Sequence, residues 1–167
     1  TSIGREAFYQ TSLTSLVLPD SLTSIGNSAF AYIQELANLT IGSGVTSISD
    51  GAFRYAGIVS LVIPDSVADI SSSAFSQNDD LVSITIGAGM TRLGHGVFSY
   101  CDSLTEVAIP GSIQVIESNA FYQSRLLSTV TIGHGVTHIQ GSVFWDTALV
   151  GIVSLPETVT SVGSNAF

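Results

Sequence analysis

Apolar and polar residues alternate in short runs along the chain, and the same order of runs recurs throughout. The segment Leu39–Ile41 alternates apolar, polar, apolar, as a strand with one buried face does. A Pro or Gly then turns the chain, because Pro lacks the N–H that a ladder needs and Gly tolerates a positive φ. Val45 and Ile48 indicate a second short strand, and Ala52-Phe53 begins a tight turn or a single helical turn. The pattern predicts a coil of mainly β structure.

The phenylalanines give the length of the repeat. Successive Phe residues are 22 or 23 positions apart, and all eight follow this rule: Phe8, Phe30, Phe53, Phe75, Phe98, Phe121, Phe144 and Phe167. One coil cannot bury its apolar side chains alone, so coils stack with their strands about 4.8 Å apart. We therefore expect residues 1–167 to form a single domain, a solenoid of about seven coils with short parallel strands and a continuous Phe core.

A second, longer period lies on top of the first. The residue after each first strand alternates between Pro and Gly, in the order Pro19, Gly42, Pro64, Gly87, Pro110, Gly133 and Pro156. Two neighbouring coils therefore make a larger unit of about 45 residues. We interpret this alternation as the result of a duplication, and we do not expect the fold to require it.

The repeat resembles a known family at specific residues. Leu13–Phe30 has the sequence LTSLVLPDSLTSIGNSAF, and Phe98–Leu104 has the sequence FSYCDSL, which includes Cys101. Both are similar to the BspA-like class of leucine-rich repeats, although most coils here lack the cysteine of that class. The resemblance covers essentially the whole chain and implies a leucine-rich-repeat solenoid. The family includes surface-exposed or secreted proteins of bacteria and unicellular eukaryotes, many implicated in adhesion.

The charge balance excludes some partners. The chain has no Lys, four Arg and thirteen acidic residues, which give a net charge of −9. Nucleic acids and anionic membrane surfaces need a basic patch, so neither is an expected partner. No apolar run reaches the 18 or so residues of a membrane span, so direct membrane insertion is not expected either. The register turns Cys101, the single cysteine, toward the core, and leaves Ser99 at the surface.

The few residues suited to catalysis or metal binding form no recognisable site. His134 and His138 are four positions apart, but they fall on a turn and a strand rather than on a helix. Asp20, Asp65 and Glu157 each follow a Pro, where solvated turn residues are common. We expect no catalytic site, no metal and no cofactor, and therefore no enzyme.

Two surfaces are candidates for binding a partner. The first is the outward face of the first strands, a flat sheet of small side chains that includes Asn38, Thr40, Ser60, Val62, Ser83, Thr85, Glu106, Thr129 and Thr131. The second is a ridge of aromatic residues that follow the repeat Phe, with Gln77 in that place in the one skipped coil, namely Tyr9, Tyr32, Tyr55, Tyr100, Tyr122 and Trp145. Both sets also fit a purely structural role, as β-formers and as padding of the turn. As a docking strip the ridge is slightly preferred, because aromatic hot spots contribute more energy per contact.

These features favour a non-enzymatic interaction module, on a cell surface or secreted, that binds a protein or alternatively a glycan. A structural scaffold subunit of a larger assembly is the main alternative. Binding of ice or a mineral surface through the outward Thr residues of the first strands, such as Thr40, Thr85 and Thr131, is a remote one. Because residues 1–4 and residues 166–167 fall in mid-coil, we expect neighbouring repeats or capping segments in a longer array.

Overall fold

The computed structural model describes residues 1–167 and contains fourteen short strands and no helix. In chain order the strands are β1 Ser2–Ile3, β2 Ser15–Val17, β3 Ser24–Ile25, β4 Asn38–Thr40, β5 Ser47–Ile48, β6 Ser60–Ile63, β7 Asp69–Ile70, β8 Ser83–Ile86, β9 Arg92–Leu93, β10 Glu106–Ile109, β11 Val115–Ile116, β12 Thr129–Ile132, β13 His138–Ile139 and β14 Ser161–Val162. The even-numbered strands up to β12 are the first strands of their coils. The remaining eight are the second strands.

Each strand pairs in parallel with the equivalent strand of at least one neighbouring coil. Leu61 of β6 lies beside Ile84 of β8, and Ile48 of β5 lies beside Ile70 of β7. The predicted mainly-β solenoid of about seven turns with a repeat of about 23 residues is therefore confirmed. Apolar residues of both strand types point into the coil and join one continuous core of 41 residues.

The Phe side chains stack along the axis of the solenoid as predicted. Neighbouring rings are 5.0 to 5.8 Å apart between centroids and nearly parallel. Six of the rings are fully buried: Phe30, Phe53, Phe75, Phe98, Phe121 and Phe144. The outermost two, Phe8 and Phe167, stay 39% and 49% exposed because each stacks on a ring on one side only.

The Phe-centred turns form a third hydrogen-bonded side of the solenoid. Phe30 donates its N–H to the carbonyl oxygen of Ala52 at 2.8 Å, and Tyr32 donates to Arg54 at 2.8 Å. The residues two positions before and two positions after Phe have a positive φ, for example 52° at Ser28 and 62° at Tyr32. This left-handed conformation prevents a helical turn, so of the two predicted alternatives the tight turn is the one that forms.

The Gly positions of the Pro/Gly alternation have a structural cause, so our interpretation that the fold does not require the alternation is wrong at these positions. At the alternating position itself, a Cβ on Gly42 would lie 2.6 Å from the carbonyl oxygens of Leu18 and Pro19, and a Cβ on Gly133 would lie 2.5 Å from the backbone N of Gly111. Two residues later, a Cβ on Gly44 would overlap the carbonyl oxygen of Asp20, and a Cβ on Gly135 would overlap that of Gly111. In contrast, a Cβ on Gly111, the residue after Pro110, would meet nothing nearer than 3.7 Å. The turn of each Gly-containing coil therefore packs tightly against the preceding Pro-containing coil, and only a residue without a side chain fits there.

Both strand ladders are interrupted around the coil that contains β8 and β9. No residue pairs join β7 to β9 or β8 to β10. On its other side, β8 pairs with β6 over four residue pairs. A further interruption lies near residue 152, where we expected a seventh first strand and none forms. There Gly151, with φ 81°, turns the chain out of the ladder.

The interior also contains a polar column three residues after Phe. Asn78 and Ser124 are fully buried, and their side chains donate to the carbonyl oxygens of Phe75 and Phe98 at 2.9 and 3.0 Å. Cys101 lies in the same column and is fully buried, as predicted. The prediction for Ser99 is wrong, because this residue is only 8% exposed and its hydroxyl donates to the carbonyl of Gly96 at 2.9 Å.

Candidate interaction surfaces

The first strands present one continuous outward surface, which we call the strand face. Its nine predicted residues all lie on β4 to β12 with exposed side chains: Asn38, Thr40, Ser60, Val62, Ser83, Thr85, Glu106, Thr129 and Thr131. Alternation along the strand causes this, since the residues between them point into the core. Val17 and Val62 are 74% and 63% exposed, so the surface includes apolar groups that nothing in the chain covers.

A shallow depression interrupts the strand face where the ladder between β8 and β10 is broken. It has a volume of about 220 Å³. The residues that line it come from three strands and are Ser83, Ile84, Glu106, Val107, Ala108, Thr129 and Thr131. Glu106 is the only charged residue among the outward positions of the six first strands. The face is therefore neutral and flat except at this one point.

The second candidate surface, the aromatic edge, consists of two stacks rather than one ridge. The rings of Tyr9, Tyr32 and Tyr55 form the first stack, with centroid distances of 5.4 and 5.0 Å. Tyr32 and Tyr55 lie two residues after a Phe, whereas Tyr9 lies one residue after it. The rings contact each other, which explains structurally why aromatic residues recur here.

The second stack contains Tyr100, Tyr122 and Trp145, with centroid distances of 5.6 and 4.9 Å. Gln77 occupies the coil between the two stacks, as the sequence predicted, and its amide donates to the hydroxyl oxygen of Tyr55 at 2.6 Å. Each stack contains one face-to-face pair, Tyr32 with Tyr55 and Tyr122 with Trp145, and one edge-to-face pair. At the face-to-face pairs a partner therefore meets mainly ring edges.

Acidic groups accompany the aromatic edge. Asp79 and Asp80 line a small depression beside Tyr55 and Gln77. Burial, followed by the repulsion of the Asp102 and Asp80 carboxylates, raises the pKa of Asp79 above its usual range.

Two of the three carboxylates that follow Pro, those of Asp20 and Asp65, form hydrogen bonds within the turns. Asp20 accepts hydrogen bonds from the backbone N–H and the hydroxyl of Ser43 at 2.7 and 2.9 Å, and these bonds lower the pKa of Asp20. Asp65 accepts a bond from the N–H of Ala88 at 2.7 Å. Each carboxylate thus links a Pro-containing coil to the following Gly-containing coil, which is a structural function.

The two histidines do not form a common site. His134 lies exposed in a turn, and His138 lies on β13 with its ring nitrogen 2.8 Å from the hydroxyl of Thr137. No group of three or more His, Cys, Asp or Glu side chains is close enough to hold a metal ion. The chain also contains no helix long and apolar enough to span a membrane.

The depression around Glu106 was not singled out from the sequence. Its residues were predicted as ordinary members of the strand face, whereas the structure groups them at a break in the ladder. One signal was available, because Glu106 is the single charged residue in two columns of small neutral side chains.

Solved structures with the same architecture come from bacteria. A leucine-rich repeat protein from Eubacterium ventriosum is 28% identical, with a TM-score of 0.86 over 94% of this chain and 43% of its own. A leucine rich cell surface protein from Faecalibacterium prausnitzii is 25% identical, with a TM-score of 0.68 over 98% of this chain and 51% of its own. The leucine rich repeat protein of T. pallidum is 29% identical, with a TM-score of 0.67 over 97% of this chain and 66% of its own. The chain thus spans less than two thirds of each of these proteins.

Sequence comparison identifies the family. No curated protein sequence matches the chain. In contrast, the family model described as BspA type leucine rich repeat region, in six copies, matches residues 1–124 and 46–167, which together cover the whole chain. The same residues form the stacked coils described above. The chain therefore belongs to the BspA-type leucine-rich-repeat family.

Proposed function

We propose that this chain is a non-enzymatic binding module of a cell-surface or secreted protein, and that it holds a protein partner on its strand face. The observation that supports this most strongly is the strand face itself. It is flat, exposed over six coils and almost uncharged, and Val17 and Val62 leave apolar groups in water. A large contiguous exposed surface that contains apolar groups with a polar rim marks a site of protein interaction.

The aromatic edge is the second candidate surface of the same module. From the sequence alone it is slightly preferred, but the geometry changes this preference. The rings of Tyr122 and Trp145 stack with their centroids 4.9 Å apart, so each ring covers one face of the other. A glycan partner commonly needs an open ring face, whereas a protein can also use ring edges and hydroxyl groups. Tyr9 and Trp145 remain about 40% exposed and support a secondary contact.

The location at the cell surface is supported by one relative. The Faecalibacterium prausnitzii structure is described as a leucine rich cell surface protein and aligns with 98% of this chain. An acidic surface without Lys is compatible with such an environment. Protease treatment of intact source cells tests the location, because a surface protein is cleaved before the cells lyse and a protein inside the cells is protected.

Photo-crosslinking tests the binding function. A photoactivatable side chain is placed at Val62 on the strand face, and in a matched variant at Tyr32 on the aromatic edge. The tagged proteins are illuminated with the surface and secreted fraction of the source cells. We expect the Val62 variant to capture one protein species, in a constant ratio of captured protein to tagged variant, and the Tyr32 variant not to capture it. Capture only at Tyr32 moves the site to the aromatic edge, and the same background at both positions contradicts a binding module.

A further inference from the structure

Glu106 is an unpaired charge in the middle of the neutral strand face. The five ion pairs of the chain use other carboxylates, those of Glu6, Asp69, Asp102, Glu117 and Asp146. Arg54, the one arginine outside these pairs, donates to Gln77 at the aromatic edge. No basic residue of the chain therefore neutralises Glu106.

The surroundings of Glu106 provide both polar and apolar contacts. Three exposed residues, Ser83, Thr129 and Thr131, place hydroxyl groups around the depression. Val107, which is 3% exposed, contributes an apolar floor. The depression of about 220 Å³ gives room for the end of one side chain of a partner. A flexible aliphatic stem can lie on such a floor while its polar head reaches the carboxylate.

A partner that covers the strand face also removes the carboxylate of Glu106 from water. Removing an unpaired carboxylate from water costs several kcal/mol, and an opposite charge with further hydrogen bonds offsets that cost. The net charge of the chain, −9, also attracts a positively charged partner over longer distances. The charge and position of Glu106 thus select the chemistry of the partner at this point.

We propose that the protein partner inserts an arginine side chain into the depression between β8, β10 and β12, where its guanidinium group binds Glu106. This inference rests on the proposed function of the strand face. A guanidinium has five N–H donors in a fixed plane and pairs with a carboxylate through two of them. The hydroxyl groups of Ser83, Thr129 and Thr131 accept hydrogen bonds from the remaining donors. An ammonium group offers only three donors and matches this set of acceptors less well.

Titration with small probes tests the inference without the partner. The probes are N-acetyl-arginine amide and N-acetyl-citrulline amide, which has nearly the same shape and no charge. Backbone amide signals are followed by NMR at low ionic strength. We expect the arginine probe to shift the signals of Ser83, Glu106 and Thr129 in a saturable way with a Kd of about 1–10 mM. The citrulline probe should produce shifts at least about tenfold smaller at equal concentration.

Two variants provide the controls. Glu106→Gln keeps the size of the side chain and should abolish the response, whereas Glu157→Gln, which removes an exposed carboxylate of a turn, should leave it unchanged. The inference is overturned if the shifts persist in Glu106→Gln, if citrulline acts equally, or if the shifts centre on Asp79 and Asp80. Absence of any shift also overturns it.

The same variants separate this inference from the proposed function. Binding of the cross-linked partner should fall by about 30-fold or more with Glu106→Gln, as for the loss of one member of a covered charge pair. If the partner needs the strand face but is indifferent to Glu106→Gln, the arginine site fails and the function stands. If the partner crosslinks only at Tyr32, the function of the strand face fails even when the arginine probe binds.

Discussion

The tight contact between paired coils predicts opposite effects at two glycines of neighbouring turns. In Gly135→Ala the new methyl group overlaps the carbonyl oxygen of Gly111. This oxygen belongs to the backbone and cannot rotate away, so the two turns have to separate. In Gly111→Ala the methyl group meets nothing nearer than 3.7 Å. Both substitutions add the same single carbon to turns of adjacent coils, at positions one residue apart in the repeat, and neither residue has a positive φ.

The expected magnitudes follow from this difference. Overpacking against a fixed neighbour costs typically 1–3 kcal/mol, and with the backbone as the neighbour we expect about 3 kcal/mol or more for Gly135→Ala. For a chain of this length that loss lowers the Tm by about 6–12 °C. Gly111→Ala should lie between no change and a stabilisation of about 1 kcal/mol, since it restricts the unfolded chain without strain in the folded one.

Urea denaturation followed by circular dichroism measures both variants against the wild type. Hydrogen exchange of the amides of the two turns shows whether the loss is local, because repeat proteins sometimes unfold in parts. A difference of less than about 0.5 kcal/mol between the two variants would refute the close packing of paired coils.

The core and the charged turns give three further expectations. Phe98→Ala should lower the free energy of unfolding by about 3–5 kcal/mol, whereas Thr105→Ala at an exposed position should change it by less than about 0.5 kcal/mol. Equal losses for the two variants in urea denaturation would contradict the role of the Phe residues as the core. Burial raises the pKa of the Cys101 thiol, so a thiol reagent should label it slowly at pH 8 in the native protein and rapidly in urea, and rapid native labelling would show an open coil. The hydrogen bonds from Ser43 lower the pKa of Asp20, so the stability that they add is present above the unfolded pKa of about 4 and is lost as the pH falls through the folded pKa. Asp20→Asn should therefore lose less stability than the wild type when the pH is lowered. The same acid-induced loss of stability in both proteins would contradict the role of these bonds.

The repeat made most of the fold predictable from the sequence. Because every coil has nearly the same length, the period of the Phe residues also determines which strands pair and in which register. Alternation within Leu39–Ile41 then determines which side chains face outward, and the strand face follows directly. The aromatic edge was located for the same reason, and so was the gap at Gln77.

The wrong predictions concern positions where the distance between neighbouring coils determines the structure. Ser99 lies in a turn where left-handed and right-handed residues mix, so the alternation of a strand does not apply to it. Gly135 looks like an ordinary turn glycine until the distance to the preceding coil is known. The depression at Glu106 depends on an interrupted ladder between coils, which no local pattern reveals. Residues of the left-handed positions, such as Ser28 and Asn119, did carry a signal in their small polar side chains.

The central claim is that the strand face binds the partner, and one comparison of two double variants tests it directly. Affinity of the cross-linked partner is measured for the wild type, for Thr40→Glu with Thr85→Glu on the strand face, and for Tyr55→Ala with Tyr100→Ala on the aromatic edge. We predict a loss of about 30-fold or more for the Glu pair, because covering two new carboxylates is unfavourable, and a change of less than about threefold for the Ala pair. Full binding by the Glu pair together with a large loss in the Ala pair would contradict the claim and assign the partner to the aromatic edge.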